Sequence, residues 1–169
     1  MPEIHVAPAR PADADDLVAA NIASRAYHAP FARPFTDRDG FDAWYGRMLT
    51  GPNIGFIARA AADGSIVGVV NITEIVWGGF RSAYLGYYGM AAHAGMGLMT
   101  TAVETVCRIA FDDLGLHRLE ANIQPDNKAS TGADRAGRFR EGRLFPPISE
   151  DRRRMARSPA LGTPCRSSG

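Results

Sequence analysis

Ala92-His93-Ala94-Gly95-Met96-Gly97-Leu98 places two glycines where one apolar run ends and a helical pattern begins. Glycine has no Cβ, so consecutive backbone N–H groups can turn inward together and form a concave anion nest. The partial positive charge of a helix N-terminus adds to that nest, and the two would hold a pyrophosphate without a lysine. The spacing matches neither the Gly-Lys-Ser/Thr phosphate loop nor the three-glycine dinucleotide fingerprint, and a plain helix-entry turn is the alternative. Other residues with chemical capacity flank this loop. Glu74 ends a strand candidate, where it is a candidate base or else an exposed strand carboxylate. Glu120 alternates with Leu119 and reads as a sheet-surface ion pair, with a catalytic base in reserve. Tyr87 and Tyr88 are adjacent on a strand, so their side chains face opposite ways and one can reach a cleft; we assign that position to Tyr88. Asn127 and Ser130 follow Pro125-Asp126, where turn and helix-cap chemistry would also select them. His93 reads as an exposed loop residue, and His28 and His117 as surface or packing residues.

The elements that must position these groups follow from periodicity. Ile4-His5-Val6 begins a strand, and Asp13 caps a helix carrying Leu17, Val18, Asn21 and Ile22 on one face. Phe41, Trp44, Tyr45, Met48 and Leu49 recur at helical spacing up to Gly51-Pro52 and predict a second helix with an aromatic core face, Trp44 and Tyr45 being alternatively the border of an acceptor groove. Three strands are expected over 54–60, 66–76 and 83–90, with Asp63-Gly64 as a tight turn. Leu98, Met99, Ala102, Val103, Val106, Cys107, Ala110 and Phe111 define a helix from Gly97 to Leu114, and a strand returns over 117–124. The order predicts a mixed α/β (α+β) fold with a mainly antiparallel sheet flanked by helices. The strand before the long helix then pairs in parallel with the strand after it.

The 169 residues and 46% hydrophobic content fit one soluble domain. Cys107 and Cys165 are far apart, which offers no disulfide framework and no metal-ligand spacing, and a reducing cytoplasm is expected. No stretch approaches the roughly 18 to 20 apolar residues of a bilayer span. Net charge is uneven. Residues 1–130 hold 10 Lys+Arg against 14 Asp+Glu, and residues 131–169 hold 9 against 4.

The stretch "RSAYLGYYGMAAHAGMGLMTTAVETVCRIAFDDLGLHRLEANIQPDNKAS" resembles the acetyl-CoA motif of the GNAT superfamily, most nearly its RimJ/RimL-type branch of ribosomal-protein-alanine N-acetyltransferases. The resemblance covers roughly Ile4 to Ser130. It implies that the strand ending near Met90 parts from its neighbour, that pantetheine lies in the gap, and that Gly95, Met96, Gly97 and Leu98 hold the pyrophosphate. Met90, Ala91 and Asn127 are expected to touch the cofactor as well, with Ser130 near the sulfur as a proton donor. Glu74, Ser130 and Tyr88 form the expected catalytic set, acetyl-CoA is the co-substrate, and no metal is expected. Two departures stand out: the family usually has Arg or Gln where Ala92 stands, and often a basic residue where Met96 stands. The acceptor implied is the N-terminal α-amine of a ribosomal protein, or else a small amine such as an antibiotic or polyamine. A monomer or homodimer fits.

The last 39 residues read differently. Residues 1–130 are expected to be the acetyltransferase domain, incomplete at its C-terminal end, and residues 131–169 an irregular basic tail. The family would continue after Ser130 with a helix of the type Ala-Leu-x-x-Arg-Ala-Gly-Phe and two further strands, and none of that appears. If residues 133–139 are encoded GCT GAT CGC GCG GGC CGG TTT, dropping the first base yields Leu-Ile-Ala-Arg-Ala-Gly-Phe. Allowed codons up to Arg166 continue in family order, through Asp-Gly and Trp-Arg-Asp-His. An out-of-frame tail is therefore expected, with the C-terminal helix and last strands missing or disordered, and with impaired stability and activity. The arginines of the tail, above all Arg152-Arg153-Arg154, raise a third reading, a ribosome- or RNA-binding protein. The absence of interleaved aromatics weighs against nucleic acid.

Overall fold

In a computed structural model, residues 3–121, 139–140 and 143–144 are described. Strand β1 (Ile4–Pro8) leads through a short 3-10 turn, Pro11–Asp13, into helix α1 (Ala14–Ala23), followed by the single-turn helix α2 (Arg25–His28) and by α3 (Arg38–Thr50). Strands β2 (Ile54–Ala60), β3 (Ile66–Val76) and β4 (Ser82–Gly89) come next, then α4 (Leu98–Arg108), which relaxes into a π turn over Ile109–Asp113, and β5 (Arg118–Ala121). The sheet order is β1-β2-β3-β4-β5, antiparallel throughout except for the parallel β4–β5 pair, as the sequence pattern predicts. Two-residue strands β6 (Phe139–Arg140) and β7 (Arg143–Leu144) extend it, β7 running antiparallel beside β5. Such pairing needs only main-chain N–H and C=O groups, so no side-chain periodicity announces it.

The sheet is buried on both faces. Phe56, Ala58, Val70, Ile72 and Leu85 pack beneath α4, whose Leu98, Ala102, Val103, Val106 and Cys107 form the apolar stripe read from the sequence. Ile57, Val69 and Met90 face the opposite layer, built from Leu17 of α1 with Phe41 and Trp44 of α3. Trp44 is thus core, and Tyr45 stacks on Phe41 with ring centroids 5.7 Å apart. Asp37, rather than Asp13, makes the side-chain helix cap: its carboxylate accepts from Gly40 N–H at 2.7 Å. Asp13 is buried and instead accepts from Arg10 N–H and from Arg59 of β2, so the acidic residue expected to cap α1 anchors α1 to the sheet.

Where β3, β4 and α4 converge, space is tight. A Cβ on Gly68 would overlap the Met99 sulfur and the Tyr88 carbonyl oxygen. The missing side chain therefore lets the first turn of α4 come down onto the β3–β4 edge. Gly68→Ala should lower stability by about 1–3 kcal/mol, the range for overpacking. Urea unfolding curves of the two proteins measure this, and coincident midpoints would show that the approach tolerates a methyl group.

Candidate functional site

The β4–α4 junction carries the expected nest. After Met90 the chain makes a 3-10 turn over Ala91–His93, then passes through Gly95 (φ 74°) and Gly97 (φ 76°), both left-handed, before α4 begins at Leu98. Positive φ costs other residues roughly 1–2 kcal/mol, and this requirement alone selects glycine: a Cβ at either position would meet nothing within 4 Å. Gly97 is the N-cap residue, and no side chain caps the helix. The first N–H groups of an α-helix have no intrahelical acceptor. Among the described residues those of Gly97, Leu98, Met99 and Thr100 find none elsewhere. The result is a cluster of unmade donors at the positive end of a helix, on an exposed surface formed by Ala92, Gly95 and Met96. No cationic side chain stands within residues 91–98 apart from the imidazole of His93, so anion contacts there are main-chain contacts.

Two polar links hold the loop in place. His93 Nε2 lies 3.0 Å from Ser65 Oγ, whose hydroxyl donates to Asp63 Oδ1 at 2.6 Å. This hydroxyl, with the Ser65 N–H, holds the Asp63 carboxylate below the usual range. His93 is therefore a tie between the nest and the β2–β3 turn rather than a free loop residue. On the other side, Ala91 N–H donates to Ser24 Oγ at 3.0 Å, and His28 Nε2 lies 2.8 Å from the Gly89 carbonyl oxygen. His28, read from the sequence as an ordinary residue, is buried at 4% exposure. Its partner is a main-chain carbonyl 61 positions away, which no local pattern encodes.

Met90, an expected cofactor contact, turns its side chain inward. That side chain is in the core beside Leu17 and Val69, its N–H donates to Val67, and its carbonyl accepts from His93 N–H. The reason is the alternation of β4, which turns position 90 toward α1. Ala91 is exposed, with its N–H already engaged by Ser24.

The described pairing of β4 with β5 runs from Ser82↔Arg118 to Leu85↔Ala121. Gly86–Gly89 carry β4 onward to the nest along its ladder with β3. Four residues of strand correspond to about 13 Å. Tyr87 faces the α4 layer and Tyr88 the α1/α3 layer. The Tyr88 hydroxyl is enclosed near Asn21 and stands edge-on to His28, with ring centroids 5.2 Å apart. Burial pushes the phenol up to about 12; the Asn21 amide pulls the other way, although no hydrogen bond of acceptable geometry joins them.

Glu74 lies on β3, one position past the Thr73↔Tyr84 pair, with β4 between it and β5. It is exposed, sits in a bulge of β3, and adopts φ 52°, uncommon outside glycine. Asn53 holds it there: Asn53 Oδ1 accepts from Glu74 N–H at 2.9 Å, while Asn53 Nδ2 donates to the Arg47 carbonyl at 3.0 Å. Backbone strain of this kind concentrates at functional sites. Glu120 pairs with Arg118 on the same strand, as expected of a sheet-surface carboxylate. Asn127 and Ser130 lie outside the described residues, as does most of the 131–169 tail. No group of His, Cys, Asp and Glu among the described residues could hold a metal, and none of their helices is long and apolar enough to cross a membrane.

The raised Tyr88 phenol has a consequence for stability. Below about pH 10, the ordinary tyrosine value, folded and unfolded chains both keep the proton. Between there and about 12 the folded chain alone keeps it, so unfolding releases a proton and stability falls as pH rises through this window. Tyr88→Phe removes that contribution. Denaturant midpoints should fall less steeply for the variant than for the wild type between pH 10 and 12; equal slopes would show that Tyr88 ionises normally.

Residues 4–136 match the acetyltransferase (GNAT) domain family. The probable N-acetyltransferase YjcK of Bacillus subtilis is 40% identical over 83 residues, which are 48% of this chain and 46% of that protein. The chain thus spans about half the length of this curated relative. Among solved structures, ribosomal-protein-S5-alanine acetyltransferase from Vibrio fischeri superposes with TM-score 0.70 at 21% identity, over 80% of this chain and 79% of that one. Spermidine N-acetyltransferase from Vibrio cholerae, in complex with CoA and spermine, superposes with TM-score 0.66 at 18% identity, over 79% and 78%. At these identities the two superpositions establish the fold, and the match over residues 4–136 establishes the family: the chain belongs to the GNAT acetyltransferase-domain family.

Proposed function

We propose that this chain is an acetyl-CoA-dependent N-acetyltransferase acting on a primary amine, most specifically the N-terminal α-amine of a ribosomal protein. The observation that carries the proposal is the cluster of unmade N–H groups at Gly97–Thr100, just past the end of β4, in a chain that matches the GNAT acetyltransferase domain. Such a cluster suits a ligand with an anionic head. The nest is proposed to meet the pyrophosphate and β4 to lie along pantetheine, with Asn127 and Ser130, outside the described residues, as further proposed contacts. Acetyl-CoA supplies an activated acyl group as its thioester. The protein must orient the amine, relieve it of a proton, stabilise the oxyanion and return a proton to the departing sulfur.

Glu74, held exposed in the strained bulge of β3, is the proposed base. An α-amine has a reference pKa near 7.7–8.0, so an appreciable fraction is already neutral near pH 7 and the base has modest work. Lysine, near 10.4, would ask for more. Ser130 is the proposed proton donor to the thiolate. Burial holds the Tyr88 phenol protonated, which excludes it as the base and makes it a weaker proton donor than an exposed tyrosine.

The relatives include both α-amine and polyamine acetyltransferases. Polyamines carry several positive charges and call for an acidic cleft. On β3, β4 and β5 the carboxylates are Glu74 and Glu120, and Arg118 already pairs with Glu120. This favours a singly charged amine. The basic tail, residues 131–169, is proposed to be out of frame, with Phe139–Arg140 and Arg143–Leu144 joining the edge of the sheet through main-chain bonds alone, and sequencing the gene across the codon for Ser130 tests the frame directly.

Thiol release from acetyl-CoA by the purified chain, followed with peptides beginning in Ala or Ser and with spermidine, tests the assignment. The peptides should be turned over faster than spermidine, at a rate well below that of a relative with an intact C-terminal region. Glu74→Gln should reduce kcat by about 10²-fold or more, the scale of general-base catalysis, with KM for acetyl-CoA within about twofold. Faster turnover of spermidine would reassign the acceptor, and an unchanged kcat would remove Glu74 from the mechanism.

A further inference from the structure

We infer that His28, supported by Ser24, is a positioning residue that sets the junction between β4 and the nest and thereby tunes cofactor affinity. The inference rests on the reading of the nest as a coenzyme A site.

Three polar side chains on the inner face of α1 and α2 are almost completely buried: Asn21 at 1% exposure, Ser24 at 2% and His28 at 4%. Burying a polar group without a partner costs on the order of 1–3 kcal/mol, so such residues persist where their bonds accomplish something. Asn21 Nδ2 donates to the Phe35 carbonyl at 2.9 Å, which steadies the path from α2 to α3. The other two converge on a single point. His28 Nε2 lies 2.8 Å from Gly89 O, and a carbonyl only accepts, so Nε2 carries the proton and donates. Ser24 Oγ accepts from Ala91 N–H at 3.0 Å. The two bonds therefore bracket Met90, the residue at which the chain leaves the sheet for the nest.

That location separates these residues from ordinary core packing. At Met90 the antiparallel ladder with β3 ends, the last link being Met90 N–H to Val67 O. Past that link the direction of the chain is free unless something outside the sheet fixes it. Ser24 and His28 fix it from α1 and α2, and the Ser65–His93 contact fixes the far side of the turn. The nest is built from main-chain N–H groups, whose aim depends wholly on backbone orientation. A change of direction at Met90 rotates every donor downstream. Ser24 and His28 reach the backbone at Ala91 and Gly89 and not the unmade N–H groups of Gly97–Thr100, so their effect on the nest is exerted through the backbone.

Coenzyme A titrated calorimetrically into the full chain tests this, with thermal unfolding of the same samples in its absence. His28→Leu should weaken binding about tenfold. His28→Gln places an amide N–H near the Nε2 position and should recover affinity to within about threefold, whereas His28→Asn is too short and should not. Ser24→Ala, a milder change that keeps the fold should His28→Leu lose it, should weaken binding about threefold to fivefold, with recovery in Ser24→Thr. These are the effects expected of single lost hydrogen bonds. Folded variants that bind within twofold of the wild type, with only their unfolding temperature lowered, would overturn the inference and leave a packing role. Equal losses in His28→Gln and His28→Leu would overturn it as well. If the wild-type chain itself fails to bind coenzyme A, the assignment of the nest falls and this inference with it.

Discussion

Everything in the site depends on leaving main-chain polar groups unmade where β4 leaves the sheet. There α4 begins without a capping side chain, and among the described residues the N–H groups of Gly97, Leu98, Met99 and Thr100 find no acceptor, which leaves them for a ligand or water to satisfy. The rest of the fold holds that cluster in place. The β3–β4 ladder supports one side, α4 is seated close by the glycine at 68, and Ser24, His28 and Ser65 prevent the turn from collapsing onto itself.

Much of this was legible in the amino-acid sequence because it obeys local rules. The apolar stripe from Leu98 to Phe111 has helical period, β2 to β4 have strand-forming composition, and Gly95 and Gly97 stand where positive φ is needed. These features rest on residues a few positions apart. The parallel β4–β5 pairing followed from the order of elements. Resemblance to a known family then suggested a ligand for the loop, which spacing alone had left open between a nest and a simple helix entry.

What stayed hidden depends on contacts between distant segments. Nothing in Ser-Arg-Ala-Tyr-His suggests that its histidine reaches the carbonyl of Gly89, and nothing near Met90 shows that its side chain joins Leu17 and Val69 in the core. Asp13 looked like a helix cap because capping is the common use of such a residue, yet Arg59, 46 positions on, claimed its carboxylate. The strain at Glu74 is likewise invisible in sequence, since it arises from a bulge and from the bond of Asn53 to its N–H. Polar side chains that reach main-chain atoms far along the chain carry no periodic signature, and these are the residues that give the site its shape.

A recognition surface made of backbone is indifferent to most of its own side chains. Ala92 and Met96 bring no polar side chain to this loop, and the arrangement of N–H groups around them does not depend on their identity, because every residue but proline supplies one. Such a loop can drift through many replacements with no change in its geometry, constrained at the two left-handed positions and at its tethers. Evolution could therefore erase turnover while the capacity to grip the nucleotide end of the molecule endured. A descendant of this fold that had lost its chemistry would remain a coenzyme-responsive protein, available for selection as a sensor.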